Sequence, residues 1–300
     1  VYFTVYLVIL APVALAALGP AVSRHLAPAA AVRVLTALLA AAAAATCWGL
    51  FALAAAGLAN LPRPHGRWGG EGRALAVADP VPWGLGVLAA ALLAVVAVRL
   101  LTGWRRHAAR RRALGAVRSA PAAGDLLVLP DDRADAYALP GRPGRVVVTA
   151  GLLRALSAEE RAVLLAHERA HLACRHDRYA ALAQAAVLVN PLFGRLRDEV
   201  GYGVERWADE LAAEAVGSRR LAVRSLARAA LAGACRPAGP PVLAYLRHRI
   251  ADRAAALQGE RPVNRWHRVW PAAGALLVVG AASADLGVAF ARCLGAVLSS

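Results

Sequence analysis

His167, Glu168 and His171 stand in the order H-E-x-x-H, within His167-Glu168-Arg169-Ala170-His171. Residues four apart share one face of an α-helix, so both imidazoles can reach a single metal ion. Glu168, one residue past the first histidine, can address a water at that ion. Two nitrogen ligands with a neighbouring carboxylate base are the parts with which a zinc site hydrolyses amide bonds. With 8 histidines in 300 residues, chance produces this pattern roughly 0.006 times per chain. We therefore treat it as a motif rather than as two satisfied histidines on a polar helix face.

A tetrahedral catalytic zinc needs a third protein ligand. Downstream lies Val204-Glu205-Arg206-Trp207-Ala208-Asp209-Glu210. Glu205 and Asp209 are one helical turn apart and share a face. Glu205 could coordinate the ion, and Asp209 could accept the free ring N–H of a liganding histidine. Asp198, Glu199, Glu210 and Glu214 read as a solvated helix face. Cys174, three residues after His171, reads as a small buried thiol. The four cysteines are scattered and form no paired framework.

These groups need elements to hold them. Ser157-Ala158-Glu159-Glu160 is a capping box, so the metal helix is expected over residues 157–174. Arg145-Val146-Val147-Val148-Thr149 is β-branched and reads as a strand. Leu126-Leu127-Val128-Leu129 and Ala136-Tyr137-Ala138-Leu139 are further strands, set apart by Pro130-Asp131-Asp132 and Pro140-Gly141-Arg142-Pro143-Gly144. A small sheet should thus precede the metal helix, with an edge strand able to hold an extended peptide by strand addition. Residues 179–193 are apolar but short for a span. They are expected to pack in the catalytic core or dip into the inner leaflet.

Hydrophobic residues make up 59% of the chain, above the roughly 45–50% usual for soluble domains. The excess is concentrated at residues 2–18, 34–59, 81–98 and 270–290, each near the ~17–25 residues that cross a bilayer. The reading is a mainly α membrane protein with about four transmembrane helices. A cytoplasmic α+β zincin-like catalytic domain lies between the third and fourth. The expected divisions are 1–101 for three spans, 102–266 for the metallopeptidase domain, and 267–300 for the fourth span and a tail. No positive residue precedes the first apolar run, so its cleavage as a signal peptide is not expected.

All 35 basic residues are arginine, and the net charge is +16. Arg105, Arg106, Arg110, Arg111, Arg112 and Arg118 follow the third run, and Arg261, Arg265 and Arg268 precede the fourth. The positive-inside rule puts both flanks, and the catalytic region between them, in the cytoplasm. The loop 61–80 is then outside. Direct nucleic-acid binding is not expected: no recognition motif appears, and the arginines flank spans, where anionic headgroups attract them. Arg220, Arg224 and Arg228 recur every fourth residue. They form either a helix face on the inner membrane surface or a plain solvated face.

The stretch from about Tyr137 to Ile250 resembles the BlaR/MecR-type membrane metallopeptidases, the antirepressor sensor-transducers. The matching residues are Ala138-Leu139-Pro140-Gly141, the valine-rich strand to Thr149, and Leu152-Leu153. Then come the histidine motif with His176 following, Asn190-Pro191-Leu192, and Glu205 through Asp209-Glu210. The resemblance implies that Glu205 is the third zinc ligand, and that the activity is endoproteolysis at a bacterial cell membrane. A repressor of the winged-helix type is the substrate it implies. The HtpX-like quality-control peptidases and the CAAX-prenyl peptidases share the zinc motif and a Glu-x-x-Ala-Asp block, and are the alternative. A non-catalytic scaffold or receptor keeping a zinc site is a third reading. Sensor members carry a large extracellular domain after their last span, whereas only residues 292–300 follow here, so antibiotic binding is not expected. In the implied mechanism His167, His171 and Glu205 hold Zn2+, and Glu168 shuttles the proton from water to the leaving amine. His176, Tyr202 and Arg206 remain candidates for stabilising the oxyanion.

Overall fold

The computed structural model describes residues 22–59, 82–121, 124–234 and 249–270, with isolated residues at 19, 274, 277–278, 280–281, 284 and 288. The expected span 2–18, most of the span 270–290, the loop 61–80, Cys235 and Cys293 lie outside them.

Two long apolar helices come first, α1 (Pro28–Ala59) and α2 (Trp83–Ala113). They run 30 and 31 residues over Pro28–Gly57 and Trp83–Ala113, and an 18-residue stretch within each reaches mean hydropathy 1.9 and 2.4; about 20 residues suffice to cross a bilayer. Both are therefore long and apolar enough to cross a membrane. They meet where Gly57 faces Gly86. A Cβ on Gly57 would stand 2.3 Å from the Gly86 Cα, so only a residue without a side chain permits this approach. Beyond the contact, α2 exposes Leu88, Leu92, Val95 and Val98, an apolar row that hydrocarbon would cover at no cost. The helix continues through Arg110, Arg111 and Arg112, so the expected boundary after residue 101 falls inside one continuous helix.

Helix α1 has a second role. Val32, Leu35, Leu38, Leu39 and Ala42 are fully buried against Phe193, Leu196, Val200, Val204 and Trp207. The first described apolar helix thus shares a core with the segment that carries Glu205.

The sheet has the order β1-β3-β2, from β1 (Leu126–Leu129), β2 (Ala136–Leu139) and β3 (Arg145–Thr149). β1 runs parallel to β3, with Leu126 opposite Val146. β2 runs antiparallel to β3, with Ala136 opposite Val148 and Leu139 opposite Arg145. Side chains alternate between faces. Val146 and Val148 pack with Leu152 and Leu156, while Val147 packs with Leu127 and Leu139. The valine run is central because both its faces are covered, which leaves β2 as an edge.

The short helix α3 (Gly115–Ser119) precedes the sheet, and α4 through α9 follow β3. Helix α4 (Ala150–Ala155) is N-capped by Thr149. Helix α5 (Ala158–Ala173) has the capping box expected: the Ser157 hydroxyl accepts the Glu160 N–H, and the Glu160 carboxylate accepts the Ser157 N–H at 2.9 Å. Helices α6 (His176–Val189), α7 (Gly194–Ala215) and α8 (Arg219–Ala234) follow. The last described α-helix is α9 (Ile250–Gln258). Segment 179–193 packs in the core: Phe193 is fully buried, while Leu182 and Leu192 are exposed. Pro191 has no N–H, so the Val187 carbonyl lacks its helical donor; the Arg99 guanidinium of α2 donates to it instead, at 3.1 Å.

The arginine stripe of α8 meets the first turn of α5. Arg224 and Arg228 lie 3.7 and 3.5 Å from the buried Glu160 carboxylate, and Arg224 also pairs with Glu159. All three arginines of the stripe are exposed, as a solvated face requires, and two of them also pair with the acidic N-terminus of the metal helix. The Ser157 N–H, then Arg228 and Arg224, hold the Glu160 carboxyl below its ordinary value of 4.5. A depressed folded value stabilises above pH 4.5 and is lost as pH falls through the folded value. Glu160→Ala is expected to cost about 1–2 kcal/mol at pH 7. Thermal unfolding in detergent should show the difference shrinking below pH 4.5; a difference that stays constant into acid would exclude the ionised cap as its source.

Candidate metal centre

The i, i+4 spacing on α5 brings the His167 and His171 Nε2 atoms to 3.1 Å. Helix α7 crosses this face and sets Glu205 against both, Oε2 at 3.6 Å from His167 Nε2 and Oε1 at 3.7 Å from His171 Nε2. The three ligand atoms lie within 4.8 Å of one another. A tetrahedral zinc with bonds of about 2.0–2.2 Å requires ligand separations of roughly 3.3–3.6 Å. The observed spacings are of that size, so the residues fit the ion.

Behind each imidazole stands a partner. Asp209 Oδ1 accepts from His167 Nδ1 at 3.1 Å. This leaves Nε2 facing the cluster, as a liganding histidine requires. His171 Nδ1 lies 3.0 Å from His176 Nδ1. With His171 Nε2 turned to the cluster, its Nδ1–H donates and His176 accepts. Arg175, between α5 and α6, adopts φ 53° and ψ 47°. That left-handed residue, uncommon for a side chain with a Cβ, starts α6 at once and returns His176 onto His171. His176 Nε2 is buried and has no hydrogen-bond partner among the described residues. Trp207 stands 4.8 Å from the His176 ring, and the Arg33 guanidinium of α1 lies 5.0 Å from the Trp207 ring. The apolar helix therefore touches the outer layer of the site.

Arg253 of α9 joins the two acids. It forks onto Asp209 at 2.7 and 2.8 Å and reaches Glu205 Oε2 at 2.9 Å. Sequence reading did not single it out. It lies 44 residues beyond Asp209, among 35 arginines, with no local pattern to mark it.

Electrostatics favours a cation here. Burial would lower the His167 pKa, but Asp209 and Glu205 outweigh it and raise it to about 10. Burial dominates at His171 and His176, and both fall to about 4. Burial would raise Glu205 and Asp209, yet Arg253 and His167 hold both below their ordinary values. Two ionised carboxylates are balanced here by Arg253 and by a His167 drawn to its charged form, so a cation bound at the cluster would take the place of the His167 proton.

A cleft of about 430 Å³ opens over the cluster, bounded by Tyr137 and Ala138 of β2 and by His167, Glu168, His171 and Glu205. Glu168 is 8% exposed. Burial raises its carboxyl, against the charge of His167 and a hydrogen bond from the Ala138 backbone. Of the three oxyanion candidates, His176 lines the cleft, with its Nδ1 on His171. Tyr202 lies under Arg249 at 3.9 Å, with Arg206 at 6.0 Å on the same ring; neither lines the cleft. Cys174 caps α5 outside the cluster, and burial raises its thiol. Glu214 is exposed, and Asp198 pairs with its neighbour Arg197. Glu199 and Glu210 do not face solvent as expected: they pair with Arg249 and Arg219, tying α7 to the segment around α9.

The family model for Peptidase family M48 matches residues 102–200. That third of the chain contains His167, Glu168, His171 and His176 and stops short of Glu205. No curated protein and no solved structure matches. The match and the His167–His171–Glu205 cluster together support a metallopeptidase.

Proposed function

We propose that this chain is a zinc-dependent endopeptidase held at a membrane, with its catalytic face toward the cytoplasm. The observation that carries the reading is the convergence of His167, His171 and Glu205 at ligand spacing, with Glu168 beside them on the cleft. His167, His171 and Glu205 hold the ion. Bound zinc supplies a Lewis acid that polarises the scissile carbonyl and acidifies water. Glu168, whose burial favours proton uptake, takes the proton of the attacking water and delivers it to the leaving amine. Asp209 and His176 keep the two imidazoles in the liganding tautomer. The cleft borders the β2 edge, which suits a substrate bound as an added strand.

On the BlaR/MecR resemblance, we take the biological role to be regulatory cleavage of one protein, such as a winged-helix repressor. The test compares the proteomes of cells carrying wild-type protein and Glu168→Gln. One new cleavage product supports regulation. Many products from damaged membrane proteins would replace it with HtpX-like quality control. No difference at all would return the chain to a scaffold.

The orientation has its own test. A cysteine placed at Arg110, in the basic end of α2, is expected to resist impermeant reagents in intact cells, and one at Gly70 to react. External labelling at position 110 would overturn the cytoplasmic reading.

A further inference from the structure

Two tryptophans mark the ends of the apolar part of α2. Trp83 and Trp104 are 51% and 66% exposed, and about 31 Å of helix separates them. A hydrocarbon core is about 30 Å thick, and tryptophans collect at its two faces. Arg99 is the only charged residue between them, and Arg105 and Arg106 follow Trp104 at once. Trp104 thus stands at the boundary on the catalytic side. At this level α2 meets the C-terminal end of α6. Arg99 donates to the Val187 carbonyl at 3.1 Å, and a Cβ on Gly103 would stand 2.4 Å from Leu188 Cδ1.

The other end of α6 stands farther out. Helices α1 and α2 are antiparallel: Gly57 meets Gly86, and Leu50 and Ala54 share a cluster with Ala89 and Leu93. Counted from the glycine contact, Trp104 lies roughly 27 Å along α2 and Arg33 roughly 36 Å along α1. Arg33 packs on Trp207, and Trp207 on His176. So α6 descends from His176 to the boundary, and the chain reverses there in the turn Asn190–Gly194. The turn buries Phe193 but leaves Pro191 and Leu192 outside, Leu192 by 61%. No charged residue occurs from Tyr179 to Gly194, and the exposed Arg195 follows.

We infer that the turn at Pro191 and Leu192 is a wedge that enters the lipid leaflet on the catalytic side. The inference rests on the reading that α2 crosses a membrane, and it adds a contact between the catalytic domain itself and lipid. Lipid removes the Leu192 side chain from water, and Arg195 beside it reaches the anionic headgroups. A face of this kind settles about 5–10 Å into the boundary between headgroups and acyl chains. The wedge also sets a height: His176, at the other end of α6, is held within roughly 20 Å of the boundary, so the cleft it lines works close to the membrane surface.

The test places a nitroxide on the purified full chain in lipid nanodiscs, after alanine replaces Cys47, Cys174, Cys235 and Cys293. The label goes in turn on Leu92→Cys, Leu192→Cys and Glu214→Cys. Collisions with oxygen, which concentrates in lipid, are compared with collisions with a water-soluble nickel chelate. The label at 192 is expected to follow that at 92, favouring oxygen, and the label at 214 to favour nickel. If 92 favours oxygen while 192 favours nickel, the wedge is overturned and the membrane reading stands. If 192 is shielded from both reagents, a protein surface covers the turn and the lipid assignment is overturned. If 92 itself favours nickel, the membrane reading fails and the wedge falls with it. A second readout keeps the native cysteines. Leu192→Asp should lower the unfolding temperature in nanodiscs, because it brings a charge to the lipid boundary, and Leu192→Phe should preserve it. Equal unfolding temperatures for Leu192→Asp and wild type would overturn the wedge.

Discussion

Glu168→Gln is expected to retain zinc while losing about 10²–10⁴-fold in proteolysis, the usual contribution of a general base. Glutamine keeps the shape and a hydrogen-bond acceptor for the Ala138 backbone but cannot take a proton. The three proposed ligand atoms belong to His167, His171 and Glu205, so the substitution removes none of them. Burial moves the Glu168 carboxyl up from its ordinary value, toward the pH at which a base can both accept and release a proton. Zinc content by elemental analysis and kcat/KM on a peptide substrate separate the two effects. His167→Ala, by contrast, should lose both zinc and activity. Equal cleavage by wild type and Glu168→Gln would remove Glu168 from the mechanism.

Removing the third ligand should have a still larger effect on the metal. Glu205→Ala deletes the only carboxylate in the cluster, among the described residues, and leaves the Arg253 Nη1 without its acceptor. Stable zinc retention is expected to be abolished. Asp209→Ala leaves the three ligands in place but frees the His167 ring, which typically costs about 10–100-fold in affinity or activity. Glu210→Ala should keep full zinc, because Glu210 is turned to Arg219 and not to the cluster. Zinc measured on the three purified variants tests this order. Full zinc in Glu205→Ala, with loss in Glu210→Ala, would mean that α7 presents a different face to the metal.

Much of this arrangement was legible in the sequence because it is local. The capping box at Ser157 and Glu160 uses backbone groups three residues apart, and the observed helix begins where the motif says. The three strands match their β-branched or alternating runs, since turn residues bound them on each side. The pairing of His167 with His171 follows from helical pitch, and that of Glu205 with Asp209 from the same pitch on another helix. Pitch placed each pair on a face; it could not say that the two faces meet.

That meeting was decided by packing. The crossing of α5 and α7, the turn at Arg175 that sets His176 on His171, and the reach of Arg253 from α9 all join residues distant in sequence or bent back by one unusual backbone angle. No composition or period records them. Charge patterns do not name their partners for the same reason. A stripe of arginines on α8 looks alike whether it faces headgroups or the acidic end of a neighbouring helix, and Glu199 and Glu210 look solvated until their partners fold against them. The apolar run of α1 likewise announced a helix able to cross a membrane. Its burial against Phe193 and Trp207 came from the tertiary fold, because hydrophobicity specifies removal from water and not which surface does the covering.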